Sequence, residues 1–236
     1  RKHVEAALEL MPEDCRDFNY IALVRIDHAV HLQTGDFRKA DTLLAEVHPA
    51  VKKLEQFVYG MFLTDWARLN LWKGNPARTM TQLEQARSLV DLPVEAYFEG
   101  EVDLVTAQAY RLSGQYTDAA DAIRKAIPVF TKRDMKIREL AALLEQSRIG
   151  RMHPGKREDT DPMLSRAETL LNETGAELYR IPWLCEMAHW ALRGGKSYDM
   201  FLDEAERLAG RSGFAVSSPS TQYIEELKKH VVQMSR

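Results

Sequence analysis

The seven residues from Gly150 to Lys156 have the spacing of a phosphate-binding loop, G-x-x-x-x-G-K. In a functional loop the eighth position is a serine or threonine whose hydroxyl binds magnesium, and the loop follows a β-strand. Here the eighth position is Arg157, and the preceding residues have helical periodicity. The missing hydroxyl and the helical context both argue against nucleotide binding.

Two histidines, His28 and His31, are three residues apart on a predicted helix and can share one face, with Asp27 beside them. A zinc site would need further ligands, and the HExxH pattern that adds a general base is missing. The sequence therefore favours two structural histidines over a metal site.

The remaining reactive side chains form no coherent site. Glu158, Asp159 and Asp161 lack the alternating spacing of a calcium loop, and in a solvated loop they lack the environment that separates an acid from a base. No serine or cysteine lies in a nucleophile elbow, although a triad assembled from distant residues stays open. Cys15 and Cys185 are each expected to be a small, partly buried hydrophobe. We predict no catalytic residues, no metal and no cofactor.

The most informative pattern is a repeat of about 40 residues, marked by five glycines that each follow an apolar helical segment. These are Gly35, Gly74, Gly114, Gly155 and Gly195. Helical periodicity runs from the start to about residue 213, without alternation long enough for a strand. The chain is predicted to be all-α and built from stacked units.

Two copies of the junction are well preserved: GDFRKADTLL from Gly35 and GQYTDAADAI from Gly114. Glycine turns the chain, an aromatic residue packs back, and a small residue lets the helices approach closely. The motif resembles the G-x-[YF]-x-x-A junction of the tetratricopeptide repeat (TPR) superfamily. This resemblance implies a right-handed α-solenoid of antiparallel helix pairs.

The long, degenerate units are similar to the sensor and scaffold regions of bacterial multidomain regulators. Examples are STAND-type ATPases, LuxR-type ATP-dependent activators and some class III adenylate cyclases. The opening segment AALELMPED resembles the end of a TPR unit, and the chain begins with Arg1. We therefore expect a piece of a longer polypeptide.

The repeat domain is predicted to span residues 1–213, with about five helix pairs after a leading half repeat. In the fourth unit the first helix should run from about Asp134 to Ile149 and the second should start at Asp161. The residues between form a long loop, whose order and role in binding stay open. Residues 214–236 are predicted to be a spacer and a capping helix from about Tyr223, with binding of a partner as the alternative.

In TPR-like solenoids the first helix of each pair lines the concave surface. Aligning the units on their junction glycines, with Gly150 in place of Gly155 for the fourth unit because of its inserted loop, gives the candidate partner-binding residues Arg25, Arg68, Trp72, Gln108, Arg111, Arg148, His189 and Arg193. Arginine binds carboxylates and phosphates through a planar fork of donors, and tryptophan is a common interface anchor. The alternative is that these arginines pair with Glu or Asp of neighbouring helices. Trp66, Trp183 and Trp190 are expected in the core.

Composition narrows the function classes. A formal net charge of -3 lacks the basic footprint of a nucleic-acid binder, and no uninterrupted apolar run is long enough for a membrane helix. Two cysteines favour the cytoplasm. We expect a non-catalytic module, the sensor or regulatory part of a larger protein, that binds an acidic polypeptide or another domain of its parent. A small-molecule receptor and a self-association module stay open.

Overall fold

The computed structural model describes residues 18–89, 96–153, 161–215 and 217–234. Within these ranges the chain forms α-helices, one 3-10 helix at Glu177–Tyr179, and no β-strand. The α-helices are α1 Phe18–Thr34, α2 Phe37–Val51, α3 Gln56–Trp72, α4 Pro76–Ser88, α5 Ala96–Leu112, α6 Tyr116–Lys132, α7 Lys136–Met152, α8 Asp161–Thr174, α9 Arg180–Arg193, α10 Asp199–Ser212 and α11 Pro219–Met234. The predicted all-α fold is confirmed.

The helices pack as consecutive pairs. Helix α1 packs on α2, α3 on α4, α5 on α6, α7 on α8, and α9 on α10. The first helices of successive pairs also contact one another, so α1, α3, α5, α7 and α9 form one layer, here called the inner layer. The second helices lie outside it. This is the arrangement of a solenoid of helix pairs.

The predicted turns follow four of the inner helices. Gly35, Gly74, Gly114 and Gly195 all have positive φ, between 65° and 84°. After Gly35 and Gly74 the next helix begins at a residue whose side chain caps it: the Asp36 carboxylate, for example, accepts the backbone N–H of Lys39 at 3.2 Å.

The fourth unit differs from the prediction at one end. Gly150 and Met152, expected in a loop, lie in α7, which continues to Met152 with Ile149 and Gly150 buried. Helix α8 begins at Asp161, as predicted. The predicted loop residues 154–160 and their junction glycine Gly155 lie outside the described residues.

Four apolar clusters follow one another along the chain, each between neighbouring helix pairs. The first joins α1, α2 and α3, the second α3, α4 and α5, and the third α5, α6 and α7. The fourth joins α7, α8, α9, α10 and α11. The predicted second-helix stripes supply much of this core, including Ala40, Leu44 and Val47, which are at most 2% exposed.

Helix α11 lies on the inner side of the solenoid. It begins at Pro219, earlier than predicted, because the Ser218 hydroxyl caps it by accepting the backbone N–H of Thr221 at 3.1 Å. It packs against α9 and α10 and reaches α1 at the other end of the described chain. Just before it, the backbone N–H of Ala215 donates to the Thr34 carbonyl at 3.1 Å. The C-terminal segment therefore spans the inner layer from its last helix to its first.

Candidate functional site

A cavity of about 380 Å³ lies between the inner helices and α11, and we call it the concave cavity. Its wall contains four of the predicted binding residues, Arg25, Arg68, Trp72 and Gln108. The other lining residues are Ala22, Ile26, His28, Ala29, Leu32, Gln33, Asp65, Leu104, Arg138, Ala141, Leu144, Leu178, Tyr179, Pro182, Pro219, Ser220 and Tyr223. Helices distant in sequence thus contribute to one site.

A ladder of alternating charges crosses four inner helices, and all of its groups except Glu101 line the concave cavity. Arg25 Nε of α1 donates to Asp65 Oδ2 of α3 at 2.5 Å. Arg68 binds Asp65 at 3.3 Å and Glu101 of α5 at 2.7 Å. Arg138 of α7 pairs through Nε with Glu101 at 2.6 Å. The arginines predicted to bind a partner therefore pair with carboxylates of neighbouring helices.

The ladder leaves a positive surplus, because three guanidinium groups share two carboxylates. Burial alone would raise the pKa of Asp65, but Arg25 and Arg68 outweigh it and hold that pKa below its usual range. The arginine side chains at the two ends of the ladder are also its most accessible groups: Arg25 is 26% and Arg138 34% exposed. Asp65 is 13% and Glu101 8% exposed. The wall therefore presents cationic donors.

Two hydrogen-bond acceptors in the same wall are buried without a partner among the residues that the structure describes. His28 Nδ1 lies 3.1 Å from the Ala40 carbonyl, so it carries the proton of the neutral ring and leaves Nε2 as an acceptor. Burial lowers the pKa of His28 and keeps the ring neutral near pH 7. Within the described ranges, neither His28 Nε2 nor Gln108 Oε1 has a hydrogen-bond partner. Unpaired buried acceptors of this kind are costly and rare in native structures.

The histidines considered for zinc are buried in α1. His31 lies 3.5 Å from Asp27 and 3.6 Å from Asp36, whereas His28 contacts the Ala40 carbonyl. In the part of the chain that the structure describes, no group of three or more His, Cys, Asp or Glu side chains could hold a metal ion.

The other half of the inner layer holds α11. The Arg148 side chain of α7 is 1% exposed and forms a two-bond pair with the Glu226 carboxylate of α11, with Nε to Oε2 at 3.0 Å. Its guanidinium carbon lies 4.0 Å from the centroid of the Tyr223 ring. Burial raises the pKa of Tyr223 to about 12, so the ring stays neutral. We call Arg148, Tyr223 and Glu226 the α11 anchor.

Further polar pairs surround the α11 anchor. Arg111 Nε of α5 donates to Glu145 Oε1 of α7 at 2.5 Å, with both side chains 1% exposed. His189 Nδ1 of α9 lies 2.8 Å from His230 Nδ1 of α11. Burial and the nearby charge of Arg151 lower the pKa of His189 to about 2, so this imidazole is neutral near pH 7.

The predicted binding residues thus fall into three groups. Arg25, Arg68, Trp72 and Gln108 line the concave cavity; Arg111, Arg148 and His189 lie buried in the inner layer against groups of their own chain; Arg193 is exposed at the end of α9.

The individual partners of these residues were not assigned from the sequence, although pairing of the arginines with Glu or Asp of neighbouring helices was the alternative. The partners are Asp65, Glu101, Arg138, Glu145, Tyr223, Glu226 and His230. One signal was present in the sequence, since acidic and basic residues occur in successive inner helices at positions that face one another.

The remaining predicted core residues are mostly inside. Trp183 is 8% exposed and donates through Nε1 to the Leu164 carbonyl at 3.3 Å, and Trp66 and Trp190 are half-buried against apolar clusters. Cys185 is fully buried, which raises its thiol pKa. Cys15, Glu158, Asp159 and the opening segment AALELMPED lie outside the described residues.

None of the helices in the described ranges is both long enough and apolar enough to cross a membrane. Comparisons with protein-family models, with curated proteins and with solved structures gave no match. The TPR-like interpretation therefore stays a prediction from the junction motif.

Proposed function

We propose that this chain is a non-catalytic regulatory module that binds a polypeptide helix on its inner face, as TPR-like solenoids do. The helix bound there in this structure is its own α11. A partner segment, or another domain of a larger parent protein, would bind when α11 leaves. The proposal is carried by one observation, the α11 anchor in the inner layer.

The α11 anchor has the chemistry expected of helix-in-groove recognition. Tyr223, Ile224 and Leu227 place an apolar stripe against the inner layer, each at most 8% exposed. Glu226 adds a carboxylate to the buried Arg148. An amphipathic helix with an aromatic anchor and one carboxylate placed against Arg148 therefore fits this surface, and a partner helix would need the same pattern.

The test uses the intact chain and a fluorescent peptide of residues 217–234. Glu226→Arg places a second guanidinium against the buried Arg148, which should undock α11 in the intact chain. The vacated inner face should then bind the wild-type peptide, measured by fluorescence anisotropy. The wild-type chain should bind it far more weakly, because its own α11 occupies the surface.

A matched control is Glu225→Arg, which makes the same charge change at the adjacent position. The Glu225 side chain is 51% exposed and contacts only Lys228 among the described ion pairs. This variant should behave like the wild type. A peptide carrying Glu226→Arg should bind none of the three chains. Equal peptide binding by all three chains would refute the proposal.

A further inference from the structure

We propose that the concave cavity is a binding site for a small organic anion that has a flat or apolar body and a hydroxyl or N–H donor. This is a second ligand class, separate from the polypeptide helix of the proposed function. The cavity volume of about 380 Å³ lies in the range of roughly 300–1,000 Å³ that is typical of small-molecule sites.

The charge preference follows from the ladder of ion pairs. Three guanidinium groups share Asp65 and Glu101, so among the described residues one positive charge has no carboxylate of its own. Arg25 and Arg138, at the two ends of the ladder, line the cavity and are its most accessible members. A carboxylate between them would complete the alternation and accept charge-assisted hydrogen bonds.

The body of the ligand is indicated by the rest of the wall. Trp72, Leu104 and Leu144 provide an apolar surface, and an aromatic ring can pack against the indole of Trp72. His28 Nε2 and Gln108 Oε1 belong to that wall, and neither has a hydrogen-bond partner in the part of the chain that the structure describes. Both atoms are shielded from water in this structure. A small side-chain adjustment would let a ligand hydroxyl reach either one.

The cavity has an apolar entrance. Ile26 and Leu178 line both the cavity and a wider apolar depression outside it, and they are 51% and 50% exposed. Tyr223, Ser220 and Pro219 of α11 form part of the opposite wall. A bound anion would therefore contact α11 directly and slow its release.

The first experiment compares three matched probes on the wild-type chain by isothermal titration calorimetry. The probes are 4-hydroxybenzoate, benzoate, which lacks the hydroxyl, and 4-hydroxybenzamide, which lacks the charge. We expect 4-hydroxybenzoate to bind best, with the amide weaker by about tenfold or more because it loses the charge-assisted hydrogen bonds. Benzoate should be weaker by roughly fivefold.

The second experiment removes one cavity cation at a time. Arg25→Met leaves Asp65 paired with Arg68, and Arg138→Gln leaves Glu101 paired with Arg68, so neither variant strands a buried carboxylate. Each variant should bind 4-hydroxybenzoate with about tenfold lower affinity than the wild type.

The control variant for the lost charge is Arg124→Gln. The Arg124 side chain on α6 is 58% exposed and pairs with Asp121, away from the cavity wall. The Arg124→Gln variant should bind 4-hydroxybenzoate with the affinity of the wild type. Gln108→Leu should lower the preference for 4-hydroxybenzoate over benzoate while leaving benzoate affinity unchanged.

Equal affinity for 4-hydroxybenzoate and 4-hydroxybenzamide would overturn the proposal, as would equal binding of 4-hydroxybenzoate by the cavity and control variants. Absence of any 4-hydroxybenzoate binding near millimolar concentration would do the same. These outcomes are independent of the peptide experiment, which uses no small molecule and alters Glu226 instead.

Discussion

Replacing Glu226 with glutamine should undock α11 more often without unfolding the solenoid. Arg148 is 1% exposed and keeps its charge, so it would lose its carboxylate partner in a buried position. Breaking a fully buried pair costs about 3–5 kcal/mol. Glu226 is 28% exposed and Glu145 still contributes its charge to Arg148, so we expect about 2 kcal/mol here.

Native-state hydrogen exchange measures this cost directly. About 2 kcal/mol corresponds to roughly 30-fold faster exchange of the α11 amides, with little change in α3 or α5, if α11 opens as a unit. The control, Glu225→Gln, should change exchange by less than about threefold because it breaks only an exposed pair. Equal exchange rates of α11 in the two variants would refute the reasoning about the α11 anchor.

Three further predictions concern stability. Leu44→Ala, at a fully buried position, should lower the free energy of unfolding by about 2–5 kcal/mol in urea titration, and a loss below 1 kcal/mol would contradict the core assignment. Gly114→Ala should lower the free energy of unfolding by about 1 kcal/mol, because the backbone there has φ +75° and the added Cβ would meet open space. Gly35→Ala should lower it more, because its Cβ would lie 2.8 Å from the Ser218 backbone nitrogen. Equal losses of stability in the two variants would contradict that contact. The pKa of His189 is about 2 in the folded chain, so the contribution of its neutral ring to the free energy of unfolding is fully present above about pH 6.5. Below that pH the free energy of unfolding should fall by about 1.4 kcal/mol per pH unit, because the unfolded chain binds the proton more readily. Equal urea midpoints near pH 7.5 and 5.5 would contradict this expectation.

The repeat structure could be predicted from the sequence because it is encoded locally. Gly35 and Gly114 allow the positive φ that the turns adopt, and the apolar stripes that follow them have the period of a helix. The start of α8 at Asp161 was also predictable, because Asp161 precedes a proline in the first helical turn.

The site was only partly predictable, since its contacts join distant parts of the chain. Alignment of the repeats placed Arg25, Arg68 and Gln108 on the inner layer, and the structure brings them into one cavity wall. The position of α11 depends on the pairing of Arg148 with Glu226, 78 residues apart. No local pattern specifies such a contact, because an amphipathic helix with charged residues on its polar face is equally compatible with capping the last repeat.

The central claim is that α11 lies on the inner face of the solenoid, held by the α11 anchor. Nuclear Overhauser measurements on a chain with labelled arginine and tyrosine test it most directly. We predict cross-peaks between the Tyr223 ring and the Arg148 side chain, whose guanidinium carbon lies 4.0 Å from the ring centroid. Tyr223 ring contacts restricted to residues of α11 itself would contradict the account.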